Sequence, residues 1–195
     1  MTADIRIRSA EPDDAPTMVP LVVTAGGGIY EYLLDGLVPG MTAAELLLPG
    51  LAAREGSFSY RHCAVAADGD SVIGVAHAYP VDWMKMVDRS SLPADRLEHI
   101  HAFDVTQDWG SYFLSALAVV PAWRRRGIAQ RLLGWAEQRA RAGGFDRVTL
   151  HVWADNAPAR RLYARCGYID VGVAAIPWHP RLPHRGGSVL LCKRL

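Results

Sequence analysis

Alternation opens the chain: Ile5-Arg6-Ile7-Arg8 carries the period of two expected of a half-buried strand. The period then lengthens. After Asp13-Asp14, apolar Met18, Leu21 and Val22 recur at helical spacing, and the pattern fails at Gly26-Gly27-Gly28. Thr42, with Glu45 three residues on, reads as a capping box that starts a helix running to about Arg54. Cys63 to Ala67 and Ser71 to Tyr79 predict the two strands of a hairpin turned at Asp68-Gly69-Asp70. Between residues 80 and 110 the strand rhythm is lost. Trp83, Met84 and Met86 fall there, followed by a helical stretch near Ala94 to Ile100.

The second half is more regular. An apolar strand over Leu114 to Val120 is closed by Pro121, and an amphipathic helix follows over Ile128 to Ala142, with Gly143-Gly144 as its stop signal. On that helix, residues 128, 132, 135, 136 and 140 put Ile, Leu, Trp and two Ala on one face, opposite Gln130, Gly134, Gln138 and Arg141. Val148 to Trp153 reads as a strand, and Leu162 to Cys166 completes a short helix with Pro158 at its first position. Ile169 to Ala175 and Ser188 to Lys193 end the chain as strands, separated by a loop containing Pro, His and Trp. Strands alternating with helices over 195 residues predict one α/β domain, 1–195, with neither an internal repeat nor a dividing linker.

Composition narrows the partners. With a net charge of +1, the chain has no global attraction for nucleic acid or anionic lipid, so any anion site must be local. Cys63, Cys166 and Cys192 form no Cys-x-x-Cys pair, and their odd number fits a reducing compartment. The start Met1-Thr2-Ala3-Asp4-Ile5-Arg6 has no leader-like apolar stretch, and no apolar run approaches the ~20 residues needed to cross a bilayer. A cytoplasmic location is the expectation. Assembly is left open, a homodimer being one option.

The local anion site has a clear candidate. Arg124-Arg125-Arg126-Gly127-Ile128-Ala129 is a basic, glycine-containing turn between a strand and a helix N-terminus. Outward N–H groups and the helix dipole suit such a turn to a pyrophosphate, and its arginines can add charge-assisted contacts. It lacks the Gly-x-Gly-x-x-Gly pattern of a dinucleotide-binding turn, which weighs against that reading. A solvated basic turn remains the bland alternative.

Arg124, Gly127 and Ala129 fill the fixed positions of Gln/Arg-x-x-Gly-x-Gly/Ala. Asn156, Ala159, Leu162 and Tyr163 fill Asn-x-x-Ala-x-x-Leu-Tyr, followed by Cys166-Gly167-Tyr168. In this order and spacing the chain resembles the GNAT superfamily of acetyl-CoA-dependent N-acyltransferases, in detail over about residues 111 to 172. The resemblance implies a mixed, largely antiparallel central sheet flanked by helices, with a splay between strands 4 and 5 where acetyl-CoA lies. It implies direct acetyl transfer to a primary amine of a small molecule or peptide, with no covalent enzyme intermediate. Pyrophosphate contacts then fall to Arg124, Arg125, Arg126, Gly127, Ile128, Ala129 and Gln130, and pantetheine contacts to Leu117, Ala118, Val119 and Asn156. Asn156 can equally be a plain helix cap.

The resemblance makes Tyr163 the general acid for the CoA thiolate. A phenol of pKa ~10 stays protonated at neutral pH, above a thiol of ~8.5. The base is not legible. The segment Tyr112-Phe113-Leu114-Ser115-Ala116-Leu117 holds no carboxylate where many family members carry one. Asp104, Asp108, His77, His101, His151 and a water chain all remain open. A metal is not expected, since His99 and His101 near Asp104 read as loop histidines, and Cys166 reads as packing. Residues 80–108 hold six acids (Asp82, Asp88, Asp95, Glu98, Asp104, Asp108) against Lys85, Arg89 and Arg96, a balance of −3. That bias, if it lines the acceptor cleft, favours a cationic amine. The rival to an enzyme is a non-catalytic acyl-CoA sensor on the same fold.

Overall fold

The computed structural model describes residues 4–195. Residues 1–3, where the segment inspected for a leader begins, lie outside the described residues. Seven strands form one sheet: β1 Ile5–Ser9, β2 Cys63–Asp68, β3 Ser71–Pro80, β4 Tyr112–Val119, β5 Arg147–Trp153, β6 Ile169–Ala174 and β7 Ser188–Arg194. Their spatial order is β1-β2-β3-β4-β5-β7-β6. Every neighbouring pair is antiparallel except β4 and β5. No described helix is long and apolar enough to cross a membrane.

Six helices cover the two faces: α1 Ala15–Gly26, α2 Ile29–Leu34, α3 Ala43–Ala52, α4 Ala94–Thr106, α5 Ile128–Ala142 and α6 Ala157–Arg165. Strand alternation assigns the faces. Ala64 and Ala66 of β2 pack with Leu132, Leu133 and Ala136 of α5, while Cys63 and Val65 pack with Met18 and Val22 of α1. Ile100 of α4, Tyr32 of α2 and Trp153 of β5 form a further cluster with Ala174 and Leu182. Small alanines along β2 and β3 let the helices approach the sheet closely.

Several expected boundaries shift. The first helix ends at the glycine run, where its pattern fails, and a second short helix follows. Gly27 and Gly28 both take left-handed φ, 59° and 94°, so α1 stops at Gly26 and α2 starts at Ile29. The Thr42–Glu45 capping box is present, with α3 ending at Ala52. The helix after the 80–93 segment runs on to Thr106, well past Ile100. Pro158 is the second residue of α6, because Asn156 is its cap.

What positions the site is the β4–β5 pair. The two strands register only at Tyr112↔Val148 and Phe113↔Thr149. Beyond these, β4 stays on β3 and β5 stays on β7 along their lengths. The strands splay, and main-chain groups of β4 beyond Phe113 face the gap without a strand partner.

Candidate active site

The turn from β4 into α5 exposes its backbone. Arg125 takes a left-handed φ of 64° and Gly127 one of 76°. The first bond into α5 is donated by Arg131 to the Gly127 carbonyl at 3.1 Å, leaving the N–H groups of residues 128–130 without helical acceptors. Gly127 is the N-cap and no side chain caps the helix. Free donors at the positive end of a 15-residue helix are chemically suited to an anion. Space around Gly127 is open: a β-carbon there would meet nothing within 4 Å. The glycine is demanded by its φ. Arg124 Nε donates to the Val119 carbonyl at 3.0 Å, fixing the turn to the end of β4. The Arg126 guanidinium instead lies over Trp123, 4.8 Å from the ring centre.

The splay opens into a cavity of about 1150 Å³ that reaches from this turn, past α6, to the side of the sheet covered by α1, α2 and α4. Asn156 Oδ1 accepts from the Ala159 N–H at 3.2 Å, so the asparagine is a helix cap as well as a cavity residue. Tyr163 is 8% exposed and borders the same cavity, edge-on to Tyr168 at 5.8 Å. Burial pushes its phenol above the ordinary value, which keeps the hydroxyl protonated. No described residue hydrogen-bonds that hydroxyl.

The opposite wall is a run of touching rings. Phe103 meets Trp153 at 5.7 Å and His151 at 4.9 Å, Phe113 meets His151 at 6.2 Å and Tyr79 at 6.0 Å. Tyr79 leads on to His77 at 5.0 Å, His77 to Phe58 at 4.9 Å, and Phe58 to Tyr30 at 5.8 Å. All of these rings except His77 border the cavity. Burial lowers both histidines to about 4, so each is neutral near pH 7. His77 has both nitrogens engaged, whereas His151 Nε2 is buried with no partner.

Charge on this wall is sparse. Asp104 is the one acid among the described residues lining the cavity, and Arg89 grips it through two bonds of 2.8 and 3.1 Å. Asp108 is held by Arg147 at 2.7 and 2.9 Å, Asp82 by Lys85, and Asp88 accepts from the Ser90 N–H at 2.8 Å. Asp82 and Asp104 pair with bases of the same segment and only Asp108 draws a base, Arg147, from outside it, so residues 80–108 keep most of their acidic excess. His101 is exposed on α4.

A family profile described as the acetyltransferase (GNAT) family matches residues 41–168. The chain belongs to the acetyltransferase (GNAT) family. A mycothiol acetyltransferase of Thermobifida fusca is 43% identical over 74 residues, covering 36% of this chain and 20% of that protein. The curated relatives are spanned only in part, from 19% to 39% of their own lengths. A solved structure, an acetyltransferase, superposes with a TM-score of 0.70 at 25% identity, over 97% of this chain and 98% of that one. The PaiA N-acetyltransferase of Thermoplasma acidophilum in complex with coenzyme A superposes at 0.56 with 14% identity, over 98% and 99%.

Within this GNAT chain, residues 117–119, 124, 125, 127–130 and 156 all border the cavity, together with Tyr163. Arg126 does not; its side chain is committed to Trp123. On α6 the inner position is Tyr163, while Ala159, Leu162 and Cys166 are only half-buried. Burial holds the Cys166 thiol above its ordinary value, unlike a reactive thiolate. The GNAT motifs gave no sign of Tyr30, Phe58 and Phe103, which come from three separate helices and loops. An aromatic at each position was visible, but nothing local marks it as cavity wall.

Proposed function

We propose that this protein transfers an acetyl group from acetyl-CoA to a primary amine. The observation that carries this reading is the single cavity joining the uncapped α5 N-terminus to Tyr163 through the β4–β5 splay. The pyrophosphate would be held by the backbone of residues 127–130, with Arg124 and Arg125 adding charge. The open edge of residues 117–119 would take pantetheine amides, and Asn156 has its amide nitrogen free for the same arm while Oδ1 caps α6.

The chemistry then balances simply. The neutral amine attacks the thioester carbonyl carbon, the N–C bond forms and the C–S bond breaks. Tyr163 gives its proton to the departing thiolate. The proton shed by the amine replaces it through water, so products are the amide and CoA thiol. A buried phenol suits this role because desolvation keeps it in the acid form. The free Tyr163 hydroxyl also favours an enzyme over a non-catalytic acyl-CoA sensor, for which a phenol without a partner in the cavity has no use.

The test is acetyl-CoA-dependent release of CoA thiol across a panel of primary amines, with the acetylated product identified by mass. Tight acetyl-CoA binding with no product from any amine would favour the sensor.

A further inference from the structure

A second concavity, of about 550 Å³, lies apart from the chemistry derived above. It forms where the loop after α3, the short turn before β2, the segment after β3 and the last turn of α5 meet. Ser57 and Val87 border both it and the large cavity, but no residue assigned above to acetyl-CoA or to proton transfer lines it.

One wall is basic. Arg54, Arg61 and Arg139 reach it from three separate stretches of chain. Among the described residues none of the three forms an ion pair, whereas Arg8, Arg89 and Arg147 each hold an aspartate. Glu55 is the one acid among the described residues lining the site, which leaves a net +2 with His62 neutral. Asp82 and Asp88 lie close by in sequence, but Lys85 and the Ser90 N–H hold them. The arginines make themselves felt on His62: burial, then Arg139 and Arg61, hold its imidazole below the ordinary value. Like charges gathered in one depression repel, and a bound anion relieves that repulsion.

The other wall is apolar and bare. Met86 is 74% exposed and Val87 47%. Beside them the Trp83 indole is fixed between His62, edge-on at 4.9 Å, and Tyr79, parallel at 6.4 Å. An organic body covering these side chains removes apolar surface from water.

We propose that this depression binds a small organic phosphate monoester, its phosphate held by Arg54, Arg61 and Arg139 and its apolar body lying along Trp83, Met86 and Val87. The site goes beyond the acetyl-transfer reading and does not depend on it. Charge selects the ligand: a phosphate monoester carries about −1.5 to −2 at pH 7, which matches the net charge of the lining. A carboxylate brings a single charge and leaves part of the repulsion standing. Guanidinium forks suit the paired oxygens of a phosphate, and the volume falls inside the range of roughly 300–1,000 Å³ common for small-molecule sites.

Phenyl phosphate is the probe. Isothermal titration should give one-to-one binding tighter than ~1 mM. Inorganic phosphate, which has no ring, and benzoate, which has less charge, should each bind about tenfold more weakly. Arg61→Gln and Arg139→Gln replace exposed side chains, so both variants should fold, and each should weaken phenyl phosphate about tenfold, the value of a charge-assisted hydrogen bond. In proton–carbon NMR the His62 ring signal, assigned by its loss in His62→Gln, should move on titration while those of buried His77 and His151 stay. Arg139 lies about 18 Å along α5 from Gly127, so saturating CoA should leave the affinity for phenyl phosphate within about twofold. Displacement by CoA would put the phosphate at the Gly127 turn instead and overturn the site. Absence of saturable binding, native affinity in both arginine variants, or inorganic phosphate binding as tightly as phenyl phosphate would overturn it as well.

Discussion

His77 Nδ1 lies 2.6 Å from the Ser115 hydroxyl, and its Nε2 lies 2.8 Å from the Ser57 carbonyl. A carbonyl only accepts, so Nε2 carries the hydrogen and Ser115 donates to Nδ1. Ser115 is the extra residue where β3–β4 register slips, between His77↔Ala116 and Ala78↔Leu114. The bulge swaps the faces of β4: Leu114 and Leu117 both turn toward α5, and Phe113 and Ala116 toward the other side. A buried neutral histidine thus pins the irregularity that shapes the cavity edge.

That arrangement predicts acid lability. His77 and His151 are lowered to about 4 in the fold, below an unfolded value near 6.5. Between these values the unfolded chain binds more protons, so the stability they support is complete above pH 6.5 and is lost as pH falls toward 4. Each histidine contributes a slope of about 1.4 kcal/mol per pH unit in that window. Calorimetric unfolding from pH 7 to 4.5 should show the fall, and His77→Gln should flatten it by one histidine's share. An unchanged slope in that variant would sink the assignment.

Tyr163→Phe keeps the ring against Tyr168 and removes only the proton donor. The expected result is a drop in kcat of ~10²-fold or more, within the range for a positioned acid, with acetyl-CoA affinity unmoved. In the native protein, loss of rate from phenol ionisation should come only above the ordinary value of ~10, since burial raises it. Full turnover by the Phe variant would return Tyr163 to a packing role.

Legibility in the sequence followed distance along the chain. The turn at Arg124–Ala129 and the Asn156–Tyr163 segment act through their own backbones, so order and spacing carried them. The Thr42–Glu45 cap was readable for the same reason. Arg126 was grouped with its neighbours because three adjacent arginines look alike; only the fold sends one onto Trp123. His77–Ser115 and His151–Ser188 join residues more than thirty positions apart, and no local pattern encodes such a pair. The acids of residues 80–108 were counted as a field, yet Asp108 meets its arginine on β5 and Asp104 meets Arg89 from across a loop. Glu137 was hidden because a glutamate on an amphipathic helix reads as solvent-facing, while its partner Lys193 lies on the last strand.

Gly127→Val should separate conformation from crowding. The site has room for a side chain, but φ of 76° is left-handed and disfavours a β-branched residue. A strain of about 1–2 kcal/mol is expected, well short of unfolding a typical domain. If α5 donors grip a pyrophosphate, acetyl-CoA affinity should fall much more than stability does. Isothermal titration with CoA giving the native affinity would remove the anion site from this turn.

The last prediction concerns what holds α5 in place behind that turn. Glu137 is 8% exposed on the inner face of α5, and Lys193 Nζ from β7 bonds both of its carboxylate oxygens at 2.8 Å. Tyr168 adds its hydroxyl to Oε1 at 3.4 Å. Removing one partner of such a pair leaves an uncompensated buried charge. Lys193→Met should therefore destabilise by ~3 kcal/mol, the low end of the range because water still reaches the lysine. Glu137→Gln neutralises the orphan and can keep the Tyr168 contact, so the double variant should be more stable than Lys193→Met alone. Denaturant unfolding of the four proteins in the cycle reads this directly; strictly additive losses would mean that the two side chains do not act as a pair. Because the contact sits near the middle of α5 and away from the Gly127 donors, CoA affinity of the folded double variant should stay within about threefold of native, a shift of well under 1 kcal/mol.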